Sequence, residues 1–271
     1  EDSVKVCNSL LPGLSVTIPE VNYEKALKAW IRDLQASTKS KVVTENGEMS
    51  IFGAKIKSIS SNPVNVYSKL VRLDSMLQLF ASFETKKDQY VESATGAPEY
   101  TKALDYLKEF AKNQYIEVAK DQADFEEKKL RDLQKELSSL ENEKARMQKS
   151  IQSNNNSIIS EKENITAQNN ELNIVNIASM GQDSTLAAME EGPARKEKAD
   201  KIKDLEKRKK KALNSIESSE KKIVRSNEEI DKATNEIPQN ERMQENVREQ
   251  IAVQDAIYQK FADKLKKIKS Y

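Results

Sequence analysis

Residues 216–237 read IESSEKKIVRSNEEIDKATNEI, with isoleucine at Ile216, Ile223, Ile230 and Ile237. An apolar residue that returns every seventh position keeps one seam of a helix turned toward a partner helix. The same phase extends outward to Ile202, Ile251, Tyr258 and Leu265. An earlier stretch repeats it at Leu130, Leu137, Ile151, Ile158, Ile165 and Leu172. Both stretches read as coiled coil.

Beyond Pro98 neither glycine nor proline appears until after Ala178. A first helix over about 98–178 is expected, ~120 Å long at 1.5 Å per residue. Gly181 and Gly192-Pro193 bracket a tip at about 179–194, and a second helix covers about 195–269. Pro238 predicts a kink there, since proline removes one backbone bond and clashes with the preceding turn. A short connection folds the two helices back antiparallel, which sets each a position against a d position. With a at Leu130 and Ile202, the turn centres between Ala188 and Met189. The register then pairs Val175 with Ile202, Ile158 with Ser219, Ile151 with Ser226 and Leu130 with Val247. Asn154, Glu161, Gln168, Ser219, Ser226 and Asn240 fall at d positions, so the middle of the seam is half-wet. Polar seam residues restrict register at a cost in stability. A further helix from a second copy is the alternative cover for these positions, leaving a homo-oligomer open.

Residues 1–92 have a different rhythm. Leu14, Val16 and Ile18 alternate as in a strand that Pro19 ends. Tyr23, Ala26, Leu27, Trp30, Ile31 and Leu34 fall at helical spacing, with Trp30 on the buried stripe. Asn46-Gly47 is a favoured two-residue hairpin turn between Val42-Val43 and Met49-Ile51-Phe52. Val64, Val66 and Val71 mark another strand, and Met76 to Phe83 a last one. The fold class is α+β: a small antiparallel sheet with one packed helix, order β-α-β-β-β-β, followed by the long antiparallel hairpin over 93–271. So small a domain needs the first turns of the following helix to complete its core. The boundary falls at Ser93–Pro98.

Composition narrows the function. The chain has 271 residues, 33% charged and 37% hydrophobic, with net charge +1 and no histidine. Mean hydropathy is -0.76, poor for one globular core and normal for helices that bury a single stripe. Without histidine the usual Ser-His and Cys-His nucleophile pairs and most zinc sites are excluded. Carboxylate pairs such as Glu126-Glu127 and Glu190-Glu191 do not by themselves make a catalytic arrangement. No catalytic, metal or cofactor residue is assigned, and an enzyme is not expected. Cys7 reads as a free thiol, with lipid attachment or an intermolecular link as alternatives. No apolar run approaches the ~20 residues that span a bilayer. The chain opens at Glu1 without Met, a hint of export.

One charged run stands out. Residues 195–211 hold ten Lys or Arg against four acidic residues, including Arg195, Lys196, Lys207, Arg208, Lys209, Lys210 and Lys211. At the hairpin tip these could clasp an acidic protein or another anionic surface, while a solvated helix face is the plainer reading. No aromatic residue interleaves with them, which argues against nucleic acid. Edge strands of the sheet offer a second route, recruitment of a partner segment by strand addition.

Leu14–Pro19, the Trp30 helix, the run of strands and the charged hairpin together resemble an uncharacterised exported family of Bacteroidota. Its members pair a small α+β domain with a Lys/Glu-rich coiled coil. The resemblance implies a periplasmic or outer-membrane-associated location. It also implies O-glycosylation at Asp-Ser/Thr motifs, here at Ser3, Ser75 and Ser184. The layout is similar as well to tentacled periplasmic chaperones, although here the small body precedes both arms. The expected function is a non-enzymatic structural or interaction subunit of an envelope assembly that binds other proteins. A holdase-type chaperone is the alternative.

Overall fold

The computed structural model describes residues 2–6, 9–93 and 97–271. Two compact units divide it, Glu1–Arg131 with Val253–Tyr271, and Asp132–Ala252.

The first unit is built on an antiparallel sheet. Its strands are β1 (Asp2–Val6), β2 (Ser9–Pro19), β3 (Val43–Glu45), β4 (Glu48–Ala54), β5 (Val64–Arg72) and β6 (Met76–Lys86), with α1 (Tyr23–Gln35) between β2 and β3. They lie in the order β1-β2-β6-β5-β4-β3, and a short β7 (Gln89–Tyr90) also pairs with β6. Strands β1 and β7 add to the sequence-based count. Five residues near a chain start and a two-residue strand carry too little alternation to stand out. β2 changes partner along its length: Ser9–Gly13 pair with β1, and Leu14–Pro19 with β6. Gly13 sits at the changeover, where a Cβ would meet the Ala81 carbonyl oxygen at 3.1 Å. The β3–β4 turn at Asn46-Gly47 has φ of 52° and 81°. That double positive φ matches the twist of the strands it joins.

Local chemistry starts α1 and burial holds it. Asn22 caps it, its side-chain oxygen accepting the Glu24 and Lys25 N–H groups at 2.9 and 3.2 Å. Ala26, Trp30 and Leu34 turn inward at helical spacing. Trp30 is fully buried. Its Nε1–H donates to Ser68 Oγ on β5 at 2.9 Å, and its ring meets Phe110 edge-on at 4.9 Å. Phe110 belongs to α2 (Ala97–Ser179), whose Ala103 and Leu107 enter the same core. The division between the two compact units falls inside the long helices, and residues 94–96 of the expected Ser93–Pro98 boundary lie outside the described set.

The second unit contains the rest of α2, α3 (Gln182–Ala187) and most of α4 (Pro193–Ser270). In α2 the residues withdrawn from solvent fall at Leu133, Leu137, Leu140, Lys144, Met147 and Ile151 and keep that rhythm to Val175. In α4 Ala212, Ser219, Ser226, Ala233, Asn240 and Val247 are buried at steps of one heptad, joined by Gln244. The isoleucines beside them are half-buried. Both expected phases hold.

The axial register does not. On one flank Arg208 meets Glu171 at 2.7 Å and Asn164 donates to Ser215 at 3.2 Å. On the other, Arg248 meets Glu141 at 3.0 Å. Asn164 also donates to Ser219, Lys222 to Glu161, Asn154 to Glu229 and Gln244 to the Leu140 carbonyl, which brings Ile158 near Ser226, Ile165 near Ser219 and Leu137 near Val247, about one heptad from the expected pairing. Charge accounts for part of the shift. The expected register flanks Glu141 with Glu241. The observed one gives Glu141 to Arg248 and brings Lys144 to Glu241 at 2.7 Å. At the tip, Gly181 with φ 72° follows the end of α2, and α3 lies within the crossing. The crossing between α2 and α4 spans residues 180–192. Helix α4 stays helical on both sides of Pro238.

Polar seam residues find partners across the helices. Asn240 donates to Glu143 at 3.2 Å, and Gln244 donates to the Leu140 carbonyl at 3.4 Å. Asn164 donates to Ser219 at 2.8 Å. Among the described residues no buried side-chain nitrogen or oxygen lacks a hydrogen-bond partner. A seam satisfied in this way avoids the ~1–3 kcal/mol cost of each orphaned polar group.

Candidate functional site

Within the first unit, β2 and the ends of the two long helices enclose an open groove of about 850 Å³. Its floor is apolar. Val16 and Pro19 come from β2, Ala111 and Tyr115 from α2, and Ile268 from α4. Lysines occupy its walls. Lys108 and Lys112 stand one turn apart on α2, and Lys260, Lys264 and Lys267 recur along one side of α4. Asp263 is the one acidic residue in the lining.

A glutamate beside the groove organises its floor. Glu20 follows β2 with φ 59°, in the left-handed region where non-glycine residues are uncommon. Its carboxylate accepts from Lys264 at 2.5 Å, Gln122 at 3.3 Å and Tyr115 at 3.4 Å. The Lys264 hydrogen bond holds the Glu20 carboxyl below the usual carboxylate value, against the opposing effect of burial, with Gln122 and Tyr115 assisting. Lys264 also lies over the Tyr115 ring at 5.4 Å. Lys264 is thus compensated. Lys108, Lys112, Lys260 and Lys267 make no ion pair within 4 Å among the described residues.

The basic run singled out in the sequence lies in the second unit. Arg208 is held by Glu171, and Arg195 reaches Glu191 at 3.5 Å. Lys196, Lys207, Lys209, Lys210 and Lys211 are exposed. Near them Ile174, Ile177 and Met180 are 58%, 71% and 80% exposed, so the tip carries apolar as well as basic surface. Of the serines in Asp-Ser motifs, Ser75 lies exposed in the β5–β6 turn, its carbonyl accepting the Glu20 N–H at 3.4 Å. Ser184 lies in α3, and its hydroxyl donates to the Gly181 carbonyl at 3.0 Å. Ser3 lies in β1, and Cys7 falls outside the described residues.

The five groove lysines escaped the sequence reading. Lys108/Lys112 and Lys260/Lys264 share an i, i+4 spacing, but that spacing does not say that the two pairs meet, and Lys203/Lys207 and Lys207/Lys211 show it as well. Only antiparallel packing brings residues 108–115 and 260–271 to the same strand. No protein-family model and no curated protein matches this sequence. No helix among the described residues is long and apolar enough to cross a membrane.

Proposed function

We propose that this chain is a non-enzymatic structural or protein-interaction subunit, its two long helices forming an antiparallel coiled-coil hairpin that serves as spacer or docking arm. The observation that carries this reading is the seam of the second unit. Heptad burial runs along both helices, and cross-helix bonds recur from Glu171–Arg208 to Glu141–Arg248. Such a seam stiffens two helices against each other, which suits setting a distance or presenting a tip. The basic tip, Arg195, Lys196 and Lys207–Lys211, is the surface offered to an acidic partner protein. An exported, periplasmic or outer-membrane-associated setting follows from the resemblance to the Bacteroidota family alone, as does glycosylation at Ser3, Ser75 or Ser184.

Cross-linking mass spectrometry in intact cells tests the reading. Defined stoichiometric neighbours with links to residues 174–211 support it, and a lone monomer at cellular concentration overturns it. A holdase-type chaperone is the second reading, favoured by the exposed Ile174, Ile177 and Met180 beside the lysines. Suppression of client aggregation by the purified chain at stoichiometric ratio, lost when these three become serine, separates it from the first.

A further inference from the structure

We infer that the lysine-walled groove of the first unit is a docking site for an acidic amphipathic peptide segment of a partner protein. The inference rests on the protein-interaction reading for the class of occupant, and on the groove alone for its place and chemistry.

Charge complementarity selects the occupant. The chain as a whole carries +1, yet five of its lysines line this one groove with Asp263 as the only acidic lining residue. Glu20 neutralises Lys264 from below, and Lys108, Lys112, Lys260 and Lys267 remain. They flank an apolar strip of Val16, Ala111, Tyr115 and Ile268. On α4 the span from Lys260 to Lys267 is two helical turns, ~10 Å of axial rise. A segment that alternates carboxylates with aliphatic side chains matches both features at once, apolar groups on the floor and charges against the walls.

Other occupants fit less well. A free anionic lipid wants its tail enclosed, since ligand sites bury most of their ligand, and this groove is open along its length. A protein segment brings its own body to cover the open side. Single-stranded nucleic acid needs successive free aromatic faces for stacking. Tyr115 already has the Lys264 ammonium over its ring and its hydroxyl on Glu20. Strand addition along β2 is blunted by Pro19, which has no N–H to donate.

Fluorescence anisotropy on the full chain tests the site with a labelled peptide of Glu and Leu, its Gln-for-Glu counterpart, and phosphatidylglycerol vesicles. Saturable one-to-one binding of the acidic peptide is expected, weakening with salt. The Lys112→Glu/Lys267→Glu double variant, with an unchanged thermal melt, binds about tenfold more weakly. Glu20→Gln, which frees the Lys264 charge, binds more tightly. Equal binding of the Gln peptide, or an unaffected double variant, overturns the inference. Vesicle binding that outcompetes the peptide and vanishes in the double variant overturns it in favour of a membrane surface. A tip variant with Lys207, Lys209, Lys210 and Lys211 changed to Glu keeps the two readings apart. Partner capture lost there but kept in the groove variant removes the groove and leaves the hairpin reading intact.

Discussion

Replacing Ile158 and Ser226 by cysteine, in a Cys7→Ser background, closes a disulfide within one molecule. Replacing Ile158 and Ser219 does not. Cross-helix contacts on both sides of residue 158, Glu161–Lys222 and Asn154–Glu229, place it near the level of 226, and residue 219 about one heptad away. Seven residues of helical rise separate the two choices by ~10 Å. A disulfide tolerates Cα separations only up to about 7 Å, so a single register allows one pair and forbids the other. The bond closes a loop of about 70 residues, worth about 4 kcal/mol in the chain-entropy picture. Trimming Ile158, only 9% exposed, gives back about 1–2 kcal/mol through lost burial. That loss is common to both redox forms, so oxidised minus reduced the 158/226 variant should gain about 4 kcal/mol in urea unfolding of the helical signal. Thiol titration, non-reducing electrophoresis and intact mass read out the monomeric bond. Efficient intramolecular closure of the 158/219 pair, with 158/226 left as free thiols, refutes the register assigned here. Closure of either pair only between molecules refutes the intramolecular hairpin itself.

Further perturbations address the sheet unit and the seam. Trp30→Ala should cost ~3–5 kcal/mol, and Trp30→Phe less, because the ring fills the junction of α1, β5 and α2 and its N–H satisfies buried Ser68; chemical denaturation measures both. Gly47→Val should cost ~1 kcal/mol or more although nothing crowds the site, since φ 81° is the whole penalty; Gly47→Asn should cost less. Ser226→Ala, at an almost buried helix position, should stabilise by ~0.5 kcal/mol through helix propensity in the same urea experiment. Acid should loosen the sheet unit through Glu20 and Glu84. Glu84 is held below the usual carboxylate value first by the Asn65 hydrogen bond, against the opposing effect of burial, with the Asp88 N–H and Tyr67 assisting. Lowered carboxyl values stabilise the folded state fully above the unfolded value near 4.5, and that contribution disappears as pH falls through the folded values. Glu84→Gln should flatten the pH profile of the melting temperature below about pH 5, and an unchanged profile would show that Glu84 contributes nothing to it.

Much of this architecture is local information. The Asn46-Gly47 turn, the Asn22 cap, the β2 alternation and the heptads of α2 and α4 each depend on residues a few positions apart. Physical chemistry at that range acts through φ preferences, capping bonds and side-chain periodicity. Propensity and patterning therefore expose it to direct reading, and the seam phase survived intact from sequence to structure.

Axial register and the groove are a different kind of fact. Sliding α4 by one heptad keeps every a and d phase, so the hydrophobic pattern is blind to the choice. Flanking charges at Glu141, Glu241 and Arg248 break that degeneracy. Likewise Lys108 and Lys267 are ordinary surface lysines until packing brings their helices to β2. Periodicity along the chain determined which faces of the helices turn inward. Only the antiparallel docking of distant segments decided which side chains meet, because their proximity depends on long-range packing and not on local backbone preference.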